Sequence, residues 1–361
     1  MRKLFALLVF SLVVLAACNQ SAAFNRQAML ENITQQVILP AHENFVVTLS
    51  HLEGATTTFH GDPNLANLTA VQEVWLAANL SRMAILPFRL GPIDNSLLHN
   101  RLDNRPPRIT FIEEELIGGS ESLTNDYLDS VGSSSVGLGA MEYLLFDPAG
   151  DNPAILATFT TGTESGRRRQ LILALAHNLH QNGQQLAQVW ADYAQPFIQA
   201  EMDNGELQGS INMLVNQMIA DVEEIIASRL GKPSGQRSNG AIRPDLVEAA
   251  YSQASLPRII ATLEGIQAAF NGGDGPGLDD YLNYLEATYE DQPLSAAINA
   301  QFEQSLTALR AINLPLEQAV VEQLPQVEAA MAETQTLLLL LKVDMTNHLG
   351  VTLTFNDNDG D

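Results

Sequence analysis

One short stretch of the chain combines glycine, serine and a carboxylate in a pattern that could bind a ligand. Residues 131–146, VGSSSVGLGAMEYLLF, pass from a glycine- and serine-rich segment into good helix formers from Ala140 onward. Because glycine loses much backbone entropy in a helix, the helix is expected to begin near Ala140, with Glu142 in its first turn. Unpaired N–H groups and the helix dipole favour a carboxylate there. Glu142 is therefore either a cation-binding group or an acid that only stabilises the helix start.

Other residues that could carry chemistry form incomplete sets. His177 and His180 are three apart on a predicted helix, but zinc needs at least three protein ligands and no third is evident nearby. The terminal run 356–361 alternates aspartate like the start of a calcium loop, yet no closing glutamate follows, so an acidic tail is expected. The sequence has no H-E-x-x-H and no G-x-S-x-G motif. Neither a complete metal site nor a hydrolase nucleophile is predicted.

The central stretch resembles the signature of a known family. Gly137-Leu138-Gly139-Ala140-Met141-Glu142, followed by an apolar run, resembles the G-x-H-x-x-E motif of the imelysin family, with Gly139 where the family has histidine. Three other regions resemble the same family in the same order: residues 75–107, 244–256 and 349–361. Within the first of them, Arg105 stands where tryptophan is often found before the proline. Together the four resemblances span about residues 25 to 361.

The resemblance implies a fold and three competing functions. The fold would be all-α, with two antiparallel helical bundles packed together. First in order is a non-catalytic binding protein of the cell envelope, linked to the uptake of iron, another metal or haem. A scaffold whose site has decayed ranks second, and a metal-dependent peptidase, the activity in the family's label, ranks third because its motif lacks the histidine.

Several residues are candidates for the site that the resemblance implies. Gly137, Gly139 and Glu142 form the motif region, and iron or another divalent cation, weakly held by Glu142, is the candidate cofactor. His42, which lies close to the inward face of the first predicted helix, is a candidate replacement for the missing histidine, because helical bundles gather site residues from facing helices. Trp75 and Arg82 are further candidate contributors to the cleft. Glu142 is expected to lie in this cleft, sheltered from water, near the junction of the bundles.

The N-terminus predicts export and a lipid anchor. Residues 1–17 are a short basic segment and an apolar run too short to span a bilayer, which is typical of a signal peptide. Leu15-Ala16-Ala17-Cys18 matches a bacterial lipobox, and Cys18 is the only cysteine in the chain. The mature protein is therefore expected to begin at a lipidated Cys18, attached to the envelope and facing the periplasm. Because Asn19 is not acidic, the outer membrane is favoured over the inner membrane.

The charge balance narrows the class of partners. The chain has 18 basic and 42 acidic residues, and removing residues 1–17, which hold two of the basic ones and no acid, leaves a formal charge of −26. Such a surface repels nucleic acid and attracts cations. The expected partners are the membrane, through the lipid, and components of iron or haem uptake.

Helical periodicity predicts the domain organisation. After a short tether at 18–24, an imelysin-like domain is expected over 25–355. Its first bundle covers about 25–230, its second covers about 245–348, and the polar run 231–244 connects them. Apolar stripes place Trp75, Trp190 and Leu337 to Leu341 in the cores. The acidic tail at 356–361 follows the second bundle.

Overall fold

The described part of the chain is mainly helical, and the predicted all-α class is confirmed. The computed structural model describes residues 23–200 and 209–354. Its first helices are α1 (Arg26–Asn32), α2 (Leu39–Gly61), α3 (Leu65–Ala84), α4 (Leu98–Leu102), α5 (Ile109–Phe111), α6 (Asn125–Ser130), α7 (Gly137–Leu145), α8 (Asn152–Thr160) and α9 (Ser165–Gln199). They are followed by α10 (Ser210–Glu224), α11 (Ser255–Asn271), α12 (Leu278–Tyr284), α13 (Leu294–Arg310), α14 (Leu316–Glu322), α15 (Leu324–Leu339) and α16 (Thr346–Leu349).

Short segments of other geometry extend or join these helices. Wider π turns lie at Ile33–Ile38, Ile112–Ile117, Ile225–Leu230 and Leu340–Met345, and 3-10 turns lie at Leu86–Phe88, Ser133–Ser135 and Pro244–Leu246. Two strands, β1 (Thr288–Tyr289) and β2 (Gln292–Pro293), pair antiparallel, with Thr288 opposite Pro293. No other sheet occurs within residues 23–200 and 209–354.

The first group of helices packs around α2, which lies against both α3 and α9. The long helix α9 presents an apolar stripe at helical spacing, so it buries one face and leaves the other in solvent. Trp190 of α9 and Trp75 of α3 are fully buried, as the stripe spacing predicts.

The second group is built from α11, α13 and α15, which pack on one another in that order. The two groups meet where α11 lies along α3. The helix α10, which the sequence assigns to the first bundle, packs on Leu86–Phe88, α11 and α15 and so contributes to this junction. The bundle boundary at 231–244 stays a prediction. Leu337, Leu338, Leu340 and Leu341 are buried as predicted, but Leu339 is 52% exposed.

Two predicted segments differ from the structure. Apolar spacing predicts a helix over 245–271, but this helix begins only at Ser255. Residues 247–254 instead form turns whose polar groups bond to side chains; for example, the Ala249 N–H donates to the Ser255 hydroxyl. The spacing also predicts a helix over 277–288, which ends at Tyr284, ahead of the β1–β2 hairpin. Within the described residues, no helix combines the length and the apolar character needed to cross a membrane.

Candidate functional site

The motif helix α7 starts earlier than the sequence predicts. It begins at Gly137, whose φ of +76° only glycine adopts readily, and a Cβ at this position would lie 2.5 Å from the carbonyl oxygen of Arg101. Gly137 therefore lets the chain turn against the backbone of α4 and enter the helix. Because of this early start, Glu142 lies in the second turn of α7, and the prediction that it occupies the first turn is wrong.

Glu142 is fully buried, and both of its carboxylate oxygens have partners. Its Oε1 accepts hydrogen bonds from the backbone N–H of Ser252, at 2.9 Å, and from the Ser252 hydroxyl, at 2.7 Å. Its Oε2 forms an ion pair with Nη1 of Arg105. The protein itself therefore supplies a cation to this carboxylate.

Arg105 reaches Glu142 through the space beside Gly139. A Cβ on Gly139 would lie 3.5 Å from Cγ of Arg105 and 3.4 Å from the Asn104 carbonyl oxygen. The same guanidinium contacts Asp103, at 2.9 Å from Nε to Oδ1. Gly139 and Arg105, the two positions noted above as differing from the family pattern, are thus neighbours in space.

A chain of alternating charges continues from Arg105 into the second group of helices. Asp103 also pairs with Nη2 of Arg258, at 2.9 Å, and Nε of Arg258 lies 3.0 Å from Glu248. Glu248 in turn pairs with Arg229, whose Nη1 donates to the Thr262 hydroxyl at 2.8 Å. Burial by itself would raise the pKa of Glu248, but the guanidinium groups of Arg229 and Arg258 outweigh it and lower that pKa to about 2. The network keeps Glu248 ionised and joins α11 to the segment before α5.

A cavity of about 1360 Å³ opens beside this network. Its described lining is rich in charge. The basic side chains are Arg82, Arg89, Arg229, Lys232, Arg237, Arg258 and Lys342. The acidic ones are Asp103, Asp221, Glu223, Glu224 and Glu248. Seven basic against five acidic residues give this described lining a formal charge of +2, whereas the whole chain carries −24.

Arg82 and Arg89 meet at His99 on the wall of the cavity. Nη2 of Arg82 lies 2.5 Å from Nδ1 of His99, and Nη1 of Arg89 lies 3.1 Å from Nε2. Burial and the two guanidinium groups lower the pKa of His99 to about 2, so the imidazole is neutral. Burial likewise lowers the pKa of Arg82, to about 10, which still leaves this group charged at neutral pH. Asp221 lies 3.9 Å from Arg89, and burial raises its pKa to about 6, so this carboxylate is still mostly ionised at neutral pH.

The remaining predicted site residues have different surroundings. Trp75 supports the motif helix by donating from Nε1 to the Leu138 carbonyl, at 3.1 Å.

His42 is buried, its Nδ1 lies 2.8 Å from the Ile38 carbonyl, and its ring contacts are with Phe88 and Trp190. The hydrogen bond and the ring contacts of His42 are with other residues than Glu142, and its role as a replacement for the motif histidine stays a prediction. Arg82 is the candidate that lines the cavity.

The histidine pair has a partner that the sequence pattern missed. Nδ1 of His177 and Nδ1 of His180 lie 2.7 and 2.6 Å from the two oxygens of Glu53, which is far away in sequence. Even so, no three His, Cys, Asp or Glu side chains among residues 23–200 and 209–354 are grouped so that they could hold a metal ion. The predicted lipidation site Cys18, the signal peptide and the acidic tail lie outside the described residues.

We expect the protein to lose stability as the pH falls from about 6.5 to about 4. Burial, aided by the positive charge of Arg82, lowers the pKa of His42 to about 4, whereas an unfolded histidine has a pKa of about 6.5. Between these values the unfolded chain binds a proton that the folded chain does not, so lowering the pH favours unfolding, by about 3 kcal/mol when complete. Urea denaturation between pH 4 and 7 should show a shallower pH dependence for His42→Phe.

The exposed His51 provides the control for this measurement. The shifted pKa of His99 changes stability with pH in the same direction as that of His42, and the shifted pKa of Asp221 changes it in the opposite direction. Both His99 and Asp221 are present in every variant, so they do not affect the comparison. His51→Phe should therefore keep the pH dependence of the wild type. Equal pH dependence in His42→Phe and the wild type would contradict the expectation.

Comparison with known proteins agrees with this arrangement of helices. The family model for imelysin matches residues 38–343. The chain is 21% identical over 323 residues to iron-regulated protein A of Synechococcus elongatus, a match that covers 88% of this chain and 85% of that protein. The chain therefore belongs to the imelysin family.

Two crystal structures share the fold. A protein described as an iron-regulated protein A precursor from Parabacteroides distasonis superposes with a TM-score of 0.72 at 17% identity. An imelysin-like protein from Psychrobacter arcticum superposes with a TM-score of 0.73 at 14% identity. Each match covers 91% of this chain and 97% of the other chain. At these identities the likeness establishes the fold alone.

Proposed function

We propose that the protein is a non-catalytic, lipid-anchored binding component of the bacterial cell envelope that takes part in iron acquisition. The observation that carries this proposal is the pairing of Glu142 with Arg105 and Ser252. A catalytic metal needs several protein ligands and an open position, whereas this carboxylate is buried and already neutralised. The charged cavity next to the network offers room for a ligand instead.

The setting in the cell is proposed from the N-terminus and from the relatives. The lipobox at Leu15–Cys18 supports anchoring through Cys18, with the folded domain in the periplasm and the outer membrane as the favoured attachment. Relatives named for regulation by iron support a role in iron acquisition. The partners in this setting are the membrane, reached through the lipid, and uptake components for iron or haem. Nucleic acid is not a proposed partner.

Deleting the gene from the bacterium that carries it tests this proposal. We expect the deletion strain to take up less radiolabelled ferric iron in iron-limited medium, and the wild-type gene to restore uptake. Cys18→Ala should remove the protein from the membrane fraction, because the thioether to the lipid cannot form.

Three results would contradict the proposal. Unchanged iron uptake in the deletion strain would remove the link to iron. Full partition of Cys18→Ala with membranes would remove the lipid anchor. Zinc-dependent, chelator-sensitive cleavage of peptides by the purified protein would favour the peptidase alternative.

A further inference from the structure

One wall of the cavity carries a buried arginine that forms no ion pair with the described residues. Arg82 is 1% exposed, and its Nε is buried without a hydrogen-bond partner. None of the ion pairs within residues 23–200 and 209–354 includes Arg82, whose closest polar partner is the neutral His99. A guanidinium can only donate hydrogen bonds. It therefore needs an acceptor that the described part of the chain does not provide.

Asp103 and Asp221 act on Arg82 only from a distance, so the arrangement is unfavourable unless a further acceptor reaches the guanidinium. Taking an ion out of water costs several kcal/mol, which is recovered only through good pairing and full hydrogen bonding. Within the same described ranges, Lys232 and Arg237 also line the cavity, are exposed, and take part in no ion pair. The buried wall thus has a guanidinium N–H without an acceptor, and the exposed wall has two cations outside any described ion pair.

The contrast between the cavity and the rest of the molecule indicates the sign of the ligand's charge. A chain with a formal charge of −24 repels anions over most of its surface, and charges gathered in a concave site focus the local field. Arginine is the residue best suited to bind carboxylate or phosphate oxygens through paired hydrogen bonds. The cavity, at about 1360 Å³, is large enough for a small organic molecule.

We infer that this cavity binds a small molecule carrying carboxylate or phosphate groups. Arg82 and Arg89 hold an oxyanion at the buried wall, and Lys232 and Arg237 attract the ligand from the solvent side. This inference rests on the proposed role in binding and gives it a substrate class. In that role, iron would arrive bound to a chelator that carries such groups, and the protein would contact the chelator rather than the metal.

Calorimetric titration of the full-length protein in detergent tests the inference. Citrate, ferric citrate and inorganic phosphate are titrated separately at low ionic strength. We expect saturable binding of at least one of them, weakening as salt is added because salt screens the charges. Binding of citrate and ferric citrate but not phosphate identifies a carboxylate ligand, and the reverse identifies a phosphate ligand.

Matched variants locate the site. Arg82→Gln should raise the dissociation constant of the bound probe at least tenfold. Lys232→Ala/Arg237→Ala should raise it about threefold to tenfold, since these side chains are exposed. Arg243→Ala/Arg310→Ala removes the same amount of charge away from the cavity lining and should change the dissociation constant less than twofold. Circular dichroism reports whether Arg82→Gln folds. If it does not fold, the comparison between the two double variants tests the location of the site.

Two outcomes would overturn the inference: no saturable binding of any of the three probes, or equal losses in the two double variants. Iron uptake by the deletion strain is measured separately. Reduced iron uptake without anion binding would support the proposed function but contradict the inferred class of ligand. Anion binding with normal uptake would keep the site and remove its link to iron.

Discussion

Replacing Arg258 with methionine is expected to lower the free energy of unfolding by about 3–5 kcal/mol, the range for breaking a buried ion pair. The Arg258 side chain is 4% exposed and lies between Asp103 and Glu248 while donating to Asn79. Methionine keeps much of the length of the side chain but leaves two carboxylates with one counter-charge fewer. Chemical denaturation followed by circular dichroism measures the change.

An exposed arginine on a neighbouring helix provides the control. Arg310 pairs with Glu264 at 2.6 Å, and these side chains are 49% and 48% exposed. Water and salt screen such a pair, so Arg310→Met should change stability by about 0–1 kcal/mol. Similar losses for Arg258→Met and Arg310→Met would mean that the buried network contributes little to stability.

Replacing Gly137 with alanine is expected to lower the free energy of unfolding by about 3 kcal/mol or more, through backbone strain and steric overlap. The φ of +76° disfavours any side chain, and the added Cβ would lie within 2.7 Å of the carbonyl oxygens of both Arg101 and Leu102. Because those atoms belong to the backbone, they cannot move aside as the end of a side chain could. Thermal and chemical denaturation should both show the loss.

The same change five residues earlier provides the matched control. Gly132 has a φ of −60°, and a Cβ there would meet nothing within 4 Å. Alanine at this position reduces the entropy of the unfolded chain, so Gly132→Ala should be neutral or stabilise by about 0.4–1 kcal/mol. A Gly137→Ala protein as stable as Gly132→Ala would show that the motif turn tolerates a side chain.

The sequence predicts the helices well because their signal is local. Apolar residues at helical spacing define the buried stripe of α9, and they also predict that Gly183 permits a close helix contact. In the structure, a Cβ on Gly183 would lie 2.3 Å from Cδ1 of Leu49. Periodicity shows which face of a helix is buried, and this was enough to place Trp75 and Trp190 in the core.

The candidate site was only partly predictable because its partners are distant in sequence. Glu142 and Arg105 are 37 positions apart, and Arg258 is 155 positions from Asp103. No spacing rule links such residues, so Arg105 stood out only as a departure from the family pattern. The turn at 247–254 was missed for the same reason, since its polar groups find partners that tertiary packing brings close, such as Glu142 for Ser252.

The position of Arg105 beside Gly139 makes the two residues dependent on each other. A first carbon added at Gly139 would lie at an ordinary contact distance, 3.5 Å, from Cγ of Arg105, so a larger side chain there would share the space that Arg105 occupies. Replacing Arg105 with an uncharged residue would leave Glu142 buried without this counter-charge. Substitutions at the two positions are therefore expected to be non-additive in their effect on stability.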